Sequence, residues 1–192
     1  MKPRTLALLA LPLLTVASAC RAKRAAPVAA PEAVAAARYD AAERARRDAA
    51  EAGRRAAEEA RLRAEREAAE RARAVLEAVV YFEYDRSDLD AEARQTLEAK
   101  LPVLQQNAGI RLRIAGHTDE RGSDEYNLAL SQRRAAAAKR FLTQRGIGDD
   151  RLDLVGFGEE RPVCTDAAEA CWSRNRRAAF ELVGGTVAAT AP

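Results

Sequence analysis

The chain has 192 residues, with 32 basic and 29 acidic side chains, one histidine and a formal net charge of +3. That length allows one or two domains, but the composition is uneven. Only residues 76–183 carry enough aromatic, Ile, Leu and Val side chains to bury an ordinary core. Lys2 and Arg4 stand ahead of Cys20, so a chain starting at that cysteine is nearly neutral. Its charges are interleaved, which excludes the basic patch of a nucleic-acid-binding protein.

The first element is a leader. Met1 to Arg4 is a positive n-region, and Thr5 to Ala17 is an apolar run of 13 residues. A membrane-spanning helix needs about 20, so residues 1–19 read as a signal peptide. Ala17-Ser18-Ala19 satisfies the small-x-small cleavage rule. The stretch "VASAC" resembles a bacterial lipobox, with Ala17 where a leucine is more usual. That resemblance implies acylation of Cys20, where each buried methylene contributes about 0.8 kcal/mol of membrane affinity. Arg21, in the place where an aspartate favours inner-membrane retention, implies an outer-membrane lipoprotein facing the periplasm. The alternative is a soluble periplasmic chain with a plain Cys20 thiol.

Residues 20–31, with Pro27 and Pro31, read as a flexible linker. Residues 32–77 are mostly strong helix formers. Glu43, Glu51, Glu59 and Glu67 recur every eight residues, and Arg47, Arg55, Arg63 and Arg71 follow four behind. Each such pair is worth about 0.2–0.5 kcal/mol. An eight-residue period drifts around a helix by about 80° per repeat, so the pairs define no seam. Val34, Tyr39 and Leu62 are isolated. The segment reads as one charged helical spacer rather than a coiled coil.

Residues 78–183 read as a small α+β domain. "AVVYFEY" (78–84) is a buried strand. A helix follows with Leu89, Ala93, Leu97, Leu101 and Leu104, with Asp88 or Asp90 as N-cap and a kink or break at Pro102. "AGIRLRIAG" alternates as a strand. Ser123 to Arg145 is a second helix, stopped by Gly146 or Gly148. "DRLDLVGFG" and "RRAAFELV" are two more strands. The order β-α-β-α-β-β places two main helices on one face of a small mixed sheet. Cys164 and Cys171 bracket a polar loop, and a disulfide there suits an oxidising periplasm. Their spacing is too long for one arm of a zinc site; two reduced thiols are the alternative. Residues 184–192 read as a disordered tail.

The chemistry gathers in "GHTDERG" (116–122). One histidine beside two acids lacks metal-ligand spacing. No G-x-S-x-G nucleophile elbow is present, and His117 has no identifiable orienting partner. No metal, cofactor or catalytic residue is therefore expected, and the chain is not read as an enzyme. Asp119 follows a strand and Arg134 lies in the next helix, so a strand-loop-helix return can bring them together. A carboxylate and a guanidinium at fixed separation can grip the ammonium and carboxylate of one amino-acid ligand. An ordinary Asp–Arg salt bridge is the plainer reading of the same spacing.

"VYFEYDRSDL", "IAGHTDERGSDEYNLALSQRRAAAAKRFL", "VGFGEERP" and "NRRAAFEL" stand in one order. Together they resemble the OmpA-like (outer-membrane-protein-A-like) peptidoglycan-binding domain. The resemblance implies non-covalent binding of the peptidoglycan stem peptide. Asp119 would bind the free ammonium of meso-diaminopimelate, and Arg134 its carboxylate. Asp85 and Thr118 would line the pocket, and Asn127 would order the loop. Arg176 or Arg177 would approach the site or brace it.

It further implies tethering of outer membrane to wall within a Tol-type system, with roles in envelope integrity and division. The long spacer and the cysteine loop depart from the family pattern. They bear on which Tol-system protein can dock, and leave the wall-binding motif intact. A soluble or differently sorted wall-binding adaptor, and a scaffold whose rod is the working part, are the alternative functions.

Overall fold

The computed structural model describes residues 30–187. The expected signal peptide, Cys20 and most of the expected linker therefore lie outside the described residues. The described residues divide into two units between Glu51 and Ala52. Helix α1 spans Pro31–Glu77 and Gly53 does not interrupt it. Glu43–Arg47, Glu59–Arg63 and Glu67–Arg71 form the expected i,i+4 pairs, the latter two at 3.4 and 3.7 Å. No helix among the described residues is long and apolar enough to cross a membrane.

The second unit is α+β, as the pattern requires. Its elements are β1 (Val80–Tyr81), α2 (Ala91–Gln106), β2 (Arg111–Gly116), α3 (Asp124–Thr143), β3 (Leu152–Gly156), α4 (Glu169–Asn175) and β4 (Arg177–Gly184). The sheet order is β1-β4-β2-β3. The β2/β3 pair is parallel, and the β1/β4 and β2/β4 pairs are antiparallel. Leu112, Ile114, Leu152 and Phe180 point from the sheet into a core shared with Leu97, Leu104 and Leu142 of the helices. The opposite face is wet, with ion pairs Arg111–Asp153 and Arg113–Glu181 at 3.6 and 3.7 Å. This is the in/out alternation of a sheet covered on one side.

Four sequence expectations need correction. The first strand is two residues, not seven. It pairs only with β4 at the sheet edge, burying Val80 and Phe82 and leaving Tyr81 exposed. Pro102 does not end α2, which continues to Gln106. The proline lies on the exposed side, where the carbonyl that loses its partner can meet water. The cysteine loop contains a short helix, α4. The C-terminal tail is also not wholly loose: Gly185, with φ +80°, turns the chain, and Val187 packs against the core. Residues 188–192 lie outside the described residues. Asp90, not Asp88, caps α2, accepting from the Ala93 amide at 2.7 Å.

Two features hold the frame. A Cβ on Gly116 would sit 1.9 Å from the Ser131 carbonyl oxygen, and one on Gly156 would sit 2.6 Å from Ser131 Oγ. These glycines pair across β2 and β3, so α3 can press against the ends of both strands. At the other end, Leu76 of α1 is fully buried in the core. Lys100, itself fully buried, donates to the carbonyls of Val75, Leu76 and Ala78 at 2.8, 2.9 and 2.6 Å. A lysine in α2 therefore caps the C-terminus of α1, where three carbonyls would otherwise be unpaired.

Candidate ligand-binding site

The close approach of α3 to the C-terminal ends of β2 and β3 sets up the site. Beyond Gly116 the chain turns through residues 117–122 and enters α3 at Ser123, whose hydroxyl caps the Tyr126 amide. Gly122, with φ +118°, makes the turn, and Asn127 donates to the Arg121 carbonyl at 3.3 Å and to the Glu159 carboxylate. Asn127 thus ties the turn to the loop after β3. Ser131 does likewise through the Gly158 amide, 3.0 Å away.

Asp85, Thr118, Asp119, Asn127 and Arg134 all line one cavity of about 110 Å³, with Tyr84, Arg121, Gly122, Tyr126 and Leu130 completing its wall. Asp85 holds a left-handed backbone, φ 54°, and its carboxylate accepts from the Tyr126 hydroxyl. Thr118 donates its backbone N–H to the Gly158 carbonyl, while its buried hydroxyl has no partner. An orphaned buried hydroxyl in a cavity wall is a ready donor and acceptor for a ligand.

Arg134 is fully buried. Its guanidinium donates to the carbonyls of Arg86, His117 and Glu83 at 2.8, 2.9 and 3.1 Å. Burial, with Arg176 nearby, pushes it down to about 10, so it is charged at neutral pH. Three of its five N–H groups are spent on backbone. The other two enter no hydrogen bond among the described residues.

Asp119 is 3% exposed and is not an open carboxylate. Arg121 reaches it at 2.7 Å and Arg176 at 3.2 Å. Burial alone would raise its pKa. The Arg121 side chain and amide, together with Arg176, outweigh burial and hold the carboxyl below its ordinary range. Arg121 is the more accessible of the two arginines. Its guanidinium lies between the rings of Tyr84 and Trp172, 4.1 and 4.2 Å from their centroids.

Sequence reasoning missed Arg121, Tyr84, Tyr126 and Trp172. A DERG stretch beside scattered aromatics signals polarity but not stacking. Arg176 and Arg177 separate cleanly. Arg176 braces Asp119 while also bonding the Phe82 carbonyl and Glu169. Arg177 stays outside the site, bonding the Asn175 and Arg161 carbonyls. His117 is structural: it stacks on Phe157, and burial beside Arg177 and Arg161 pushes it down to about 4. Cys164 and Cys171 are disulfide-bonded. Cys171 lies in α4, the helix that supplies Trp172 and Glu169 to the Arg121 cluster.

A four-stranded mixed sheet with a buried carboxylate and a buried guanidinium across one small cavity defines an OmpA-like domain. Residues 81–176 match the OmpA family, and the chain belongs to that family. The peptidoglycan-associated lipoprotein of Brucella melitensis biotype 1 is 47% identical over 105 residues, 55% of this chain and 62% of that protein. The peptidoglycan-associated lipoprotein of Pseudomonas putida is 48% identical over 106 residues, 54% of this chain and 63% of that protein. In each case the match spans less than two thirds of the relative. The crystal structure of the peptidoglycan-associated lipoprotein from Burkholderia pseudomallei superposes with a TM-score of 0.53 at 38% identity. That match covers 54% of this chain and 88% of that one.

Proposed function

We propose that this chain binds peptidoglycan without covalent attachment, through the meso-diaminopimelate of the stem peptide. In this reading it tethers the outer membrane to the wall by an acylated Cys20, within a Tol-type system acting in envelope integrity and division. The carrying observation is that a buried carboxylate, a buried guanidinium and an unpartnered threonine hydroxyl line one cavity. Asp119 takes the ligand's free ammonium. Arg121, the accessible partner, yields or shares its place, while Arg176 stays as brace. Arg134 points its two remaining N–H groups at the ligand carboxylate. Thr118 Oγ1 bonds the same head group, Asp85 closes the rim and Asn127 fixes the loop. None of these roles needs a metal or a cofactor, and no bond is made or broken.

The test is cosedimentation of the full chain with diaminopimelate-type peptidoglycan, beside Asp119→Asn and Arg134→Lys. Loss of one partner of a buried charge contact costs about 2–5 kcal/mol. Each variant should therefore bind well over tenfold more weakly while keeping the wild-type circular dichroism. Unchanged binding by both folded variants would overturn the reading.

A further inference from the structure

The cavity is too small for more than a head group, yet the surface around it continues. Two openings lie along one face of α3 and the turn that ends it. Tyr126, Asn127, Leu130 and Arg134 line the first. Ala137, Arg140, Phe141, Gln144 and Arg145 line the second, a groove of about 490 Å³. This is a single i, i+3, i+4 stripe. The stretch after β1 and the first turn of α2 supply the facing wall of both: Tyr84 and Asp85 for the cavity, then Ser87, Asp88, Leu89 and, from α2, Arg94 for the groove. Between them runs the Arg86 backbone, held by the Arg134 guanidinium at 2.8 Å.

The groove is cationic. Asp88 is already matched by Arg86, through bonds of 2.8 and 2.9 Å. Arg145 lies over the Phe141 ring at 3.4 Å, donates to the Phe141 carbonyl at 3.3 Å and pairs with Glu98 at 3.7 Å. Arg94 spends its Nε on the Leu89 carbonyl. Arg140 is exposed, and among the described residues its guanidinium enters no hydrogen bond or ion pair. Three arginines above an aromatic floor, with Asp88 matched by Arg86, Glu98 paired with Arg145 and Arg140 left over, suit an anionic chain.

We propose that this groove is a second subsite for the same wall ligand. It takes the free α-carboxylate of the D-isoglutamate next to diaminopimelate in the stem, with Arg140 as its principal contact. The inference rests on the wall-binding reading above. Arg134 and Arg140 are six residues apart, roughly 9 Å along the helix axis and about 120° around it, so Arg134 faces inward while Arg140 stands at the rim of the groove. The span is covered by the diaminopimelate side chain and the γ-linkage, which separate the bound head group from the isoglutamate α-carboxylate by many single bonds, together with the long Arg140 side chain.

The experiment compares two synthetic stem tetrapeptides by calorimetric titration of the full chain. One carries D-isoglutamate, the other D-isoglutamine, and both keep the diaminopimelate head group. An exposed charge contact is worth up to about 1 kcal/mol, so the wild type should prefer the carboxylate form about fivefold. Arg140→Glu should reduce that ratio to one or below, and the wild-type preference should shrink with added salt. Equal binding of the two peptides by the wild type would overturn the second subsite and leave the head-group reading standing. An unchanged preference in Arg140→Glu would do the same. Binding of neither peptide would remove both.

Discussion

Lys100 offers the sharpest test of what fixes the long helix to the folded unit. Its ammonium is fully buried, donates to three carbonyls at the end of α1 and lies 4.3 Å from the centre of the Phe180 ring. Lys100→Met keeps most of the volume and removes all three donors. Removing one side of a buried charged contact costs about 3–5 kcal/mol, and relief from burying the ammonium offsets part of it. We expect a net loss of about 3 kcal/mol, a fall of roughly 12 °C for a domain of this size. Trp172 is the only tryptophan, so its fluorescence follows the melt without interference from helix signal. Hydrogen exchange at residues 75–78 should rise in parallel. A shift under about 4 °C would refute the capping argument.

The charge state can be tested in the same pair. Burial pushes Lys100 down to about 7, while three close carbonyls and the negative end of α1 favour the ammonium. The carbonyls should prevail, so wild type should gain no stability over Lys100→Met between pH 7 and 10.5. A gain in that window would reveal burial as the stronger effect, because the unfolded chain would then hold protons that the folded one has lost.

Two further measurements probe the surroundings of the site. His117 is depressed from 6.5 to about 4, so between those values the unfolded chain binds more protons. Stability should fall as pH drops from 6.5 to 4, by up to about 3 kcal/mol. That excess acid sensitivity should vanish in His117→Phe, which keeps the stacking on Phe157, and an identical pH profile in both chains would refute it. Reduction of the Cys164–Cys171 bond opens a loop with a sequence separation of 7, worth roughly 2.5 kcal/mol by loop-closure entropy. The melt should shift down in reductant and stay fixed in a Cys164→Ser/Cys171→Ser double variant, whose melting temperature should match the reduced chain.

The sequence made the architecture readable wherever one period dominated. Alternation in residues 110–116 and the long apolar stripe of α3 each had a single structural solution. The first strand misled because "AVVYFEY" is apolar at six of its seven positions, much as a buried strand would be, yet Tyr81, Glu83 and Tyr84 face water. Helix α4 escaped notice because seven residues among Ser, Asp and Cys give no period to read. Lys100 was invisible for a different reason. A lysine in an amphipathic helix looks solvated, and only the arrival of α1 from 24 residues away in sequence makes it a cap.

The site divides along the same line. Asp119, Arg134, Asp85, Thr118 and Asn127 could be named because they stand in a recognisable motif, and they line one cavity. What the motif could not convey is that Asp119 is already neutralised twice. A free buried carboxylate would rise in pKa and lose the charge an ammonium needs. Two arginines keep it ionised, and under the proposed function they would compete with the ligand for its oxygens. The more buried of them, Arg176, is also anchored to the Phe82 carbonyl and Glu169. It can hold the charge in place while Arg121 exchanges. A site of this design should bind its ligand moderately and release it readily, since each ammonium gained on Asp119 is partly offset by an arginine contact loosened. Substituting Arg121 with Gln should therefore weaken binding less than substituting Arg176 with Gln, and that order, read from the same cosedimentation, separates the movable partner from the brace.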